Sequence, residues 1–299
     1  MINTLAVLFI PIILGYILVH LNYLDSSINS NLKMFVVRVA VPCRIFISML
    51  NLKLETVKEI IPLSLSFILL TTLLILLSYI LIRVKDKKLK AAYIIAIAFG
   101  NYGYMGWAVL DGAMGQAGLA RGMFFTTLWW PIIYLGTFII SKVLKIDGKL
   151  DVKNYRLNMI IPSTVLLLGI LFNYFNITIY GPLLKTFVSL GDMTVTLILF
   201  SVGLGISFGD SYKNLKLSIL PVVLRPILGI IVAYFVIKIL GISDPISRNS
   251  ILLESTMPVA VMTVVLGDMI GLDEKLTSSI MILSTILSLF TIPLTLLII

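Results

Sequence analysis

Apolar residues in this chain fall into long runs bounded by short polar stretches. A helix that crosses a lipid hydrocarbon layer needs about 20 mostly apolar residues. Ten runs meet that need: 4–21, 33–50, 60–82, 91–110, 122–141, 159–177, 186–208, 217–237, 249–267 and 276–299. The runs 60–82, 91–110, 122–141 and 276–299 hold no charged residue. Others carry ionisable groups inside: Arg38 and Arg44 in the second, Asp192 in the seventh, Arg225 in the eighth and Glu254 in the ninth. The first run has no basic segment before it and no small-residue cleavage site after it, so it is expected to stay as a span. The gaps leave no room for a separate soluble domain. The pattern predicts an all-α polytopic membrane protein with ten transmembrane helices.

Composition strengthens this picture. Of 299 residues, 59% are hydrophobic and 12% charged. Soluble domains average about 45–50% apolar and about 25% charged. A soluble enzyme, a disordered chain and a nucleic-acid-binding domain are thereby excluded. The net charge of +9 then reads as the Lys/Arg excess of cytoplasmic loops. With both termini outside, fourteen Lys and Arg fall in cytoplasmic loops, concentrated at 83–90 and 142–158, and six fall outside. The expected location is the plasma membrane, with lipid as a partner and a homodimer allowed. Cys43 and His20 are single residues of their kind, read as packing and interfacial respectively. No His/Cys/carboxylate cluster for a metal and no P-loop occurs, so neither a cofactor nor an enzyme is expected.

The basic loop after the fifth run divides the chain into a first five-helix repeat, 1–146, a linker, 147–156, and a second repeat, 157–299. A shift of 154 carries Leu14-Gly15 onto Leu168-Gly169, Pro42 onto Thr196 and Phe46 onto Phe200. A shift of 156 carries Asn101-Tyr102 onto Met257-Pro258, Leu110 onto Leu266 and Gly115 onto Gly271. Five spans is an odd number, so the second half enters from the opposite side. That is an inverted repeat, a pattern of many secondary transporters, whose sites lie where midmembrane helices are interrupted.

Two runs are built to break. The fourth carries Gly100, Gly103 and Gly106 around Asn101, and each Gly costs a helix interior about 1 kcal/mol relative to Ala. A small-residue packing stripe would explain the glycines, but it has no use for the Asn101 amide. The ninth reads Glu254-Ser255-Thr256-Met257-Pro258, and Pro258 lacks the N–H that would bond the Glu254 carbonyl. Two such breaks related by inversion are expected to cross, offering free N–H groups and positive helix ends to one point. Gly100, Asn101, Gly103, Ser255, Thr256, Met257 and Pro258 are the candidate binding residues, and an anionic group suits them.

These segments resemble the auxin efflux carrier family, whose bacterial members are called malate permease-like. The resemblance is carried by Phe99–Gly106, Glu254–Pro258, Leu190–Gly203, Arg225-Pro226 and Ser284–Pro293, in order along the whole chain. Ala108 and Thr196 stand where the family usually has proline. The resemblance implies ten spans in two inverted five-helix repeats, crossed fourth and ninth helices, and transport of organic anions such as auxin or dicarboxylates.

Charges inside the spans are expensive and need a cavity or a partner. Arg44 either grips a substrate carboxylate with its planar fork or pairs with Glu254 or Asp192. Arg38 snorkels, and Arg225 is a pathway residue or an anchor. Glu254 is a candidate for coupling to H+ or for charge pairing. The leading expectation is a permease that moves small organic anions by alternating access. A sodium-coupled symporter of the bile acid type, and a sensor or structural subunit without transport, are the alternatives. A lipid-modifying membrane enzyme would need a polar cluster at one interface, which the chain lacks.

Overall fold

The computed structural model describes residues 2–25, 28–51, 58–146, 156–205 and 214–299. The expected linker 147–156 lies outside them except for Arg156. The described chain is helical throughout, with a single isolated β-bridge.

Along the first half run α1 (Ile2–His20), α2 (Ile28–Phe35), α3 (Val41–Leu50), α4 (Ile60–Leu81), α5 (Lys87–Ala98), α6 (Trp107–Phe125) and α7 (Trp129–Leu144). The second half follows with α8 (Arg156–Tyr174), α9 (Gly181–Leu204), α10 (Leu215–Ile239), α11 (Pro245–Ser255), α12 (Met262–Met269) and α13 (Glu274–Ile298). Single π-helical turns precede α3 at Val36–Ala40 and α6 at Tyr102–Gly106. Among the described residues, four helices are long and apolar enough to cross a membrane: α4, residues 181–201 of α9, α10 and α13.

Their surfaces show why lipid is the solvent. On α4, Leu63, Phe67, Leu70 and Leu74 are buried, yet the opposite face exposes Ile61, Leu65, Leu76 and Ile80. The polar Ser64, Ser66, Thr71 and Ser78 turn inward. A helix that is apolar all round belongs in a membrane or in a deep core.

The apolar run 122–141 is not one helix. A turn at 126–128 separates α6 from α7, and the Thr126 hydroxyl ties it by donating to the Gly122 carbonyl at 2.8 Å while accepting from Trp107 Nε1 at 3.0 Å. Helix α6 also spans the end of the fourth run and the start of the fifth, with non-helical backbone at Gly115 (φ 62°, ψ −157°).

The helices form two compact units, each drawing on both halves of the chain. The first unit comprises the described parts of 1–61, 103–127 and 154–206. In it α1 packs along α9, and α3 packs against α8 and α9. Glycines make these approaches close: a Cβ on Gly15 would collide with the Phe200 carbonyl, and one on Gly169 would lie 3.0 Å from the Phe46 carbonyl oxygen. The second unit comprises the described parts of 62–102, 128–153 and 207–299, with α10 at its centre against α5, α11 and α13.

Candidate functional site

The second unit contains both expected breaks. Helix α5 begins under an Asp86 cap, whose carboxylate accepts from the backbone N–H groups of Lys88 and Leu89. It ends at Ala98 because Phe99 turns to extended backbone (φ −106°, ψ 105°). Helix α11 begins under an Asp244 cap and ends at Ser255, where the N–H of Thr256 bonds Leu253 and that of Met257 bonds Glu254 in a tightened last turn.

The two interrupted stretches lie antiparallel. Gly100 and Val259 form the β-bridge. Asn101 donates its N–H to the Pro258 carbonyl at 2.7 Å, and Ala260 donates to the Phe99 carbonyl at 2.9 Å. The N–H of Val259 goes to Ser284 Oγ on α13 at 2.8 Å. Unbonded backbone is prohibitive in hydrocarbon, so each break supplies partners for the other. This also corrects an expectation: the N–H groups of Asn101, Val259 and Ala260 are not free for a ligand, because the crossing uses them.

Arg225 holds the crossing together. It is fully buried on α10. Its Nε donates to the Met257 carbonyl at 3.0 Å, Nη1 to the Ile97 carbonyl, and Nη2 to the Tyr102 hydroxyl at 2.8 Å. Its guanidinium also faces the Tyr102 ring, 5.3 Å from the centroid. Ile97 and Met257 sit at the C-terminal ends of α5 and α11, where carbonyls are unpaired and the helix dipole is negative. One guanidinium therefore answers both helix ends. Gly100 is required beside it, because a Cβ there would collide with Nη2 and the Tyr102 ring.

The remaining candidates divide cleanly. Ser255 and Thr256 are buried, and their hydroxyls donate back to the carbonyls of Leu252 at 2.7 Å and Leu253 at 2.8 Å. Gly103, in the π-turn, approaches nothing closely; a Cβ would meet only Trp107, at 3.9 Å. Asn101 is 1% exposed, and neither its amide nitrogen nor its amide oxygen has a partner among the described residues. Glu254 is fully buried, and both carboxyl oxygens lack a hydrogen bond among the described residues.

Arg44 belongs to the first unit. Its Nη2 bonds Asp111 at 2.7 Å and its Nη1 bonds Asp192 at 2.8 Å. Of the two carboxylates expected for it, Asp192 is a partner and Glu254 is not. Helices α6 and α9 bring the two aspartates to its fork, while Glu254 lies in the second unit with Arg225. Asp111 was missed because it falls one residue past the apolar run ending at 110. Tyr102 and Ser284 were visible within the matching segments but carried no sign of their hydroxyl roles. No group of metal-binding side chains occurs among the described residues.

A family model described as membrane transport protein matches residues 1–150 and 156–296. The chain belongs to this family. It is the auxin efflux carrier-like family that the sequence segments resemble. The chain is 28% identical over 305 residues to an uncharacterised transporter of Methanocaldococcus jannaschii, covering 98% of this chain and 96% of the relative. It is also 28% identical over 303 residues to an uncharacterised transporter of Methanothermobacter thermautotrophicus, with the same coverage. Membership of the membrane transport protein family and the apolar helices make this a multi-pass membrane protein that transports a small molecule.

Proposed function

We propose that this protein is a secondary transporter for small organic anions such as carboxylates, working by alternating access around the crossing of α5 and α11. The observation that carries the reading is the Asn101 amide, buried at the crossing with both its polar atoms unpartnered. Native interiors rarely leave such groups unpaired, and each costs about 1–3 kcal/mol. A bound carboxylate would accept from the amide nitrogen, with Arg225 supplying positive charge close by. Gly100, Ser255, Thr256, Met257 and Pro258 shape the site around it, whereas Gly103 belongs to the first unit.

The ten-span inverted repeat is part of the same proposal, and two parallels support it. Gly15 and Gly169, joined by the 154 shift, both permit close helix contacts. Gly115 and Gly271, joined by the 156 shift, both take positive φ, at 62° and 71°. The orientation with both termini outside the plasma membrane rests on the Lys/Arg distribution alone.

The unpartnered Glu254 carboxyl favours a cation, H+ or Na+, as companion to the anion. The sodium-coupled alternative would make Glu254 a ligand of that ion.

Purified protein in liposomes, offered labelled L-malate, succinate and indole-3-acetate under imposed H+ and Na+ gradients, tests the proposal. Saturable uptake of at least one acid is expected, with one gradient raising it. Protein that is folded in the vesicles yet moves none of the three would overturn the anion-carrier reading.

A further inference from the structure

Asp192 stands twelve residues into α9, in the middle of a helix long enough to span a bilayer. Its side chain is nevertheless 61% exposed. A carboxylate at that depth does not face lipid; it faces water or a partner. The residues around it agree with water. Ser189 and Thr196 of α9 are exposed at helical spacing with it, as are Gly112 and Gln116 of α6, with the apolar Met193 among them. Within the first unit this makes a polar, wetted face at the depth where apolar residues would otherwise be required.

Arg44 is set into that face. It holds two carboxylates, but unequally: Asp111 is 24% exposed and Asp192 is 61% exposed. Asp111 anchors the guanidinium through Nη2, leaving the Nη1 side toward the wetted face under the more accessible partner. The Nη1 group that donates to the Asp192 carboxylate can donate to that of a small organic acid in the same way.

We propose that Arg44 is a second anion-binding position on the transport path, and that Asp192 occupies it as a built-in competitor until a substrate carboxylate takes its place. The inference rests on the organic-anion reading given above. A site filled for part of the time by its own side chain shows an affinity lowered by that fraction. Asp192 thus keeps Arg44 from holding substrate too tightly to release it, and the exchange leaves Arg44 paired throughout.

The test measures equilibrium binding of labelled L-malate, succinate and indole-3-acetate to purified protein in nanodiscs. Asp192→Asn should tighten binding by about two- to fivefold, the range spanned by an exposed ion pair. Arg44→Lys should weaken it by about tenfold, since the point charge loses the fork. Adding Asp192→Asn to Arg44→Lys should then restore little. Unchanged or weaker binding in Asp192→Asn overturns the competitor role even if Arg44→Lys fails to fold. A gain of equal size in the double variant overturns the role of Arg44. Saturable binding by the parent chain with no response to either substitution removes this position but leaves the carrier reading. Absence of saturable binding by the parent removes both.

Discussion

Of the three arginines inside apolar runs of this chain, Arg225 and Arg44 are treated in opposite ways. Arg225 is fully buried and bonded to two backbone carbonyls and a tyrosine hydroxyl, with no carboxylate on its fork. Arg44 retains some exposure and is held by two aspartates. The difference follows from what each neighbourhood lacks. At the crossing, two helix C-termini present unpaired carbonyls in a place without water, and a guanidinium satisfies both with fixed geometry. On the exposed face of the first unit Asp111 and Asp192 reach the guanidinium, so the charge is answered by charge. The first arginine is part of the scaffold. The second is held by a partner that can be exchanged.

The sharpest way to break the comparison is to remove each arginine in turn. Arg225→Ala leaves the Ile97 and Met257 carbonyls and the Tyr102 hydroxyl without their donor. A loss of about 3–5 kcal/mol is expected, the range for breaking a buried charged contact. Thermal unfolding in detergent should show the variant melting far below the parent, or failing to accumulate. Arg225→Lys keeps the charge but cannot reach three acceptors in the same plane, so it should recover part of the loss.

Tyr102→Phe comes next. It keeps the ring beneath the guanidinium and removes the acceptor of Nη2, at an expected cost of about 1–3 kcal/mol. A melting temperature unchanged from the parent would show that the hydroxyl contributes nothing to the clamp.

The smallest effect is expected at the other arginine. Asp192→Asn breaks an exposed ion pair, worth about 0.2–1 kcal/mol. Its melting temperature should stay close to that of the parent, in contrast to both changes at the crossing. A large drop would place Asp192 in the scaffold as well and erase the distinction between the two sites.

The helical class, and the places where helices fail, were legible in the sequence because each rests on local chemistry. Run lengths gave spans that match α4, α10 and α13 within a few residues. Gly100 and Pro258 marked the breaks, since one disfavours a helix interior and the other cannot continue it. What the breaks do with their freed backbone was not legible. Pairing Asn101 with Pro258 and Phe99 with Ala260 is a long-range match that no local pattern encodes. For the same reason the expected free N–H groups were already used, and the role of Arg225 at two helix ends was one of two open readings. Asp111 escaped notice because hydropathy windows stop where the first charge appears, although α6 continues through it to Phe125. The turn at 126–128 escaped because its anchor is the Trp107–Thr126 bond, between residues nineteen apart.

The central claim is that the crossing leaves the Asn101 amide for substrate. Asn101→Ala removes an amide with no partner among the described residues, so folding has nothing to lose by it. The direct measurement is uptake of labelled L-malate, succinate and indole-3-acetate into liposomes by parent and variant, with melting temperature recorded on the same preparations. The account predicts an unchanged or slightly raised melting temperature and a loss of at least about tenfold in uptake, the scale of one hydrogen bond to a charged group. Parental uptake by the Asn101→Ala protein would contradict it and place the substrate elsewhere.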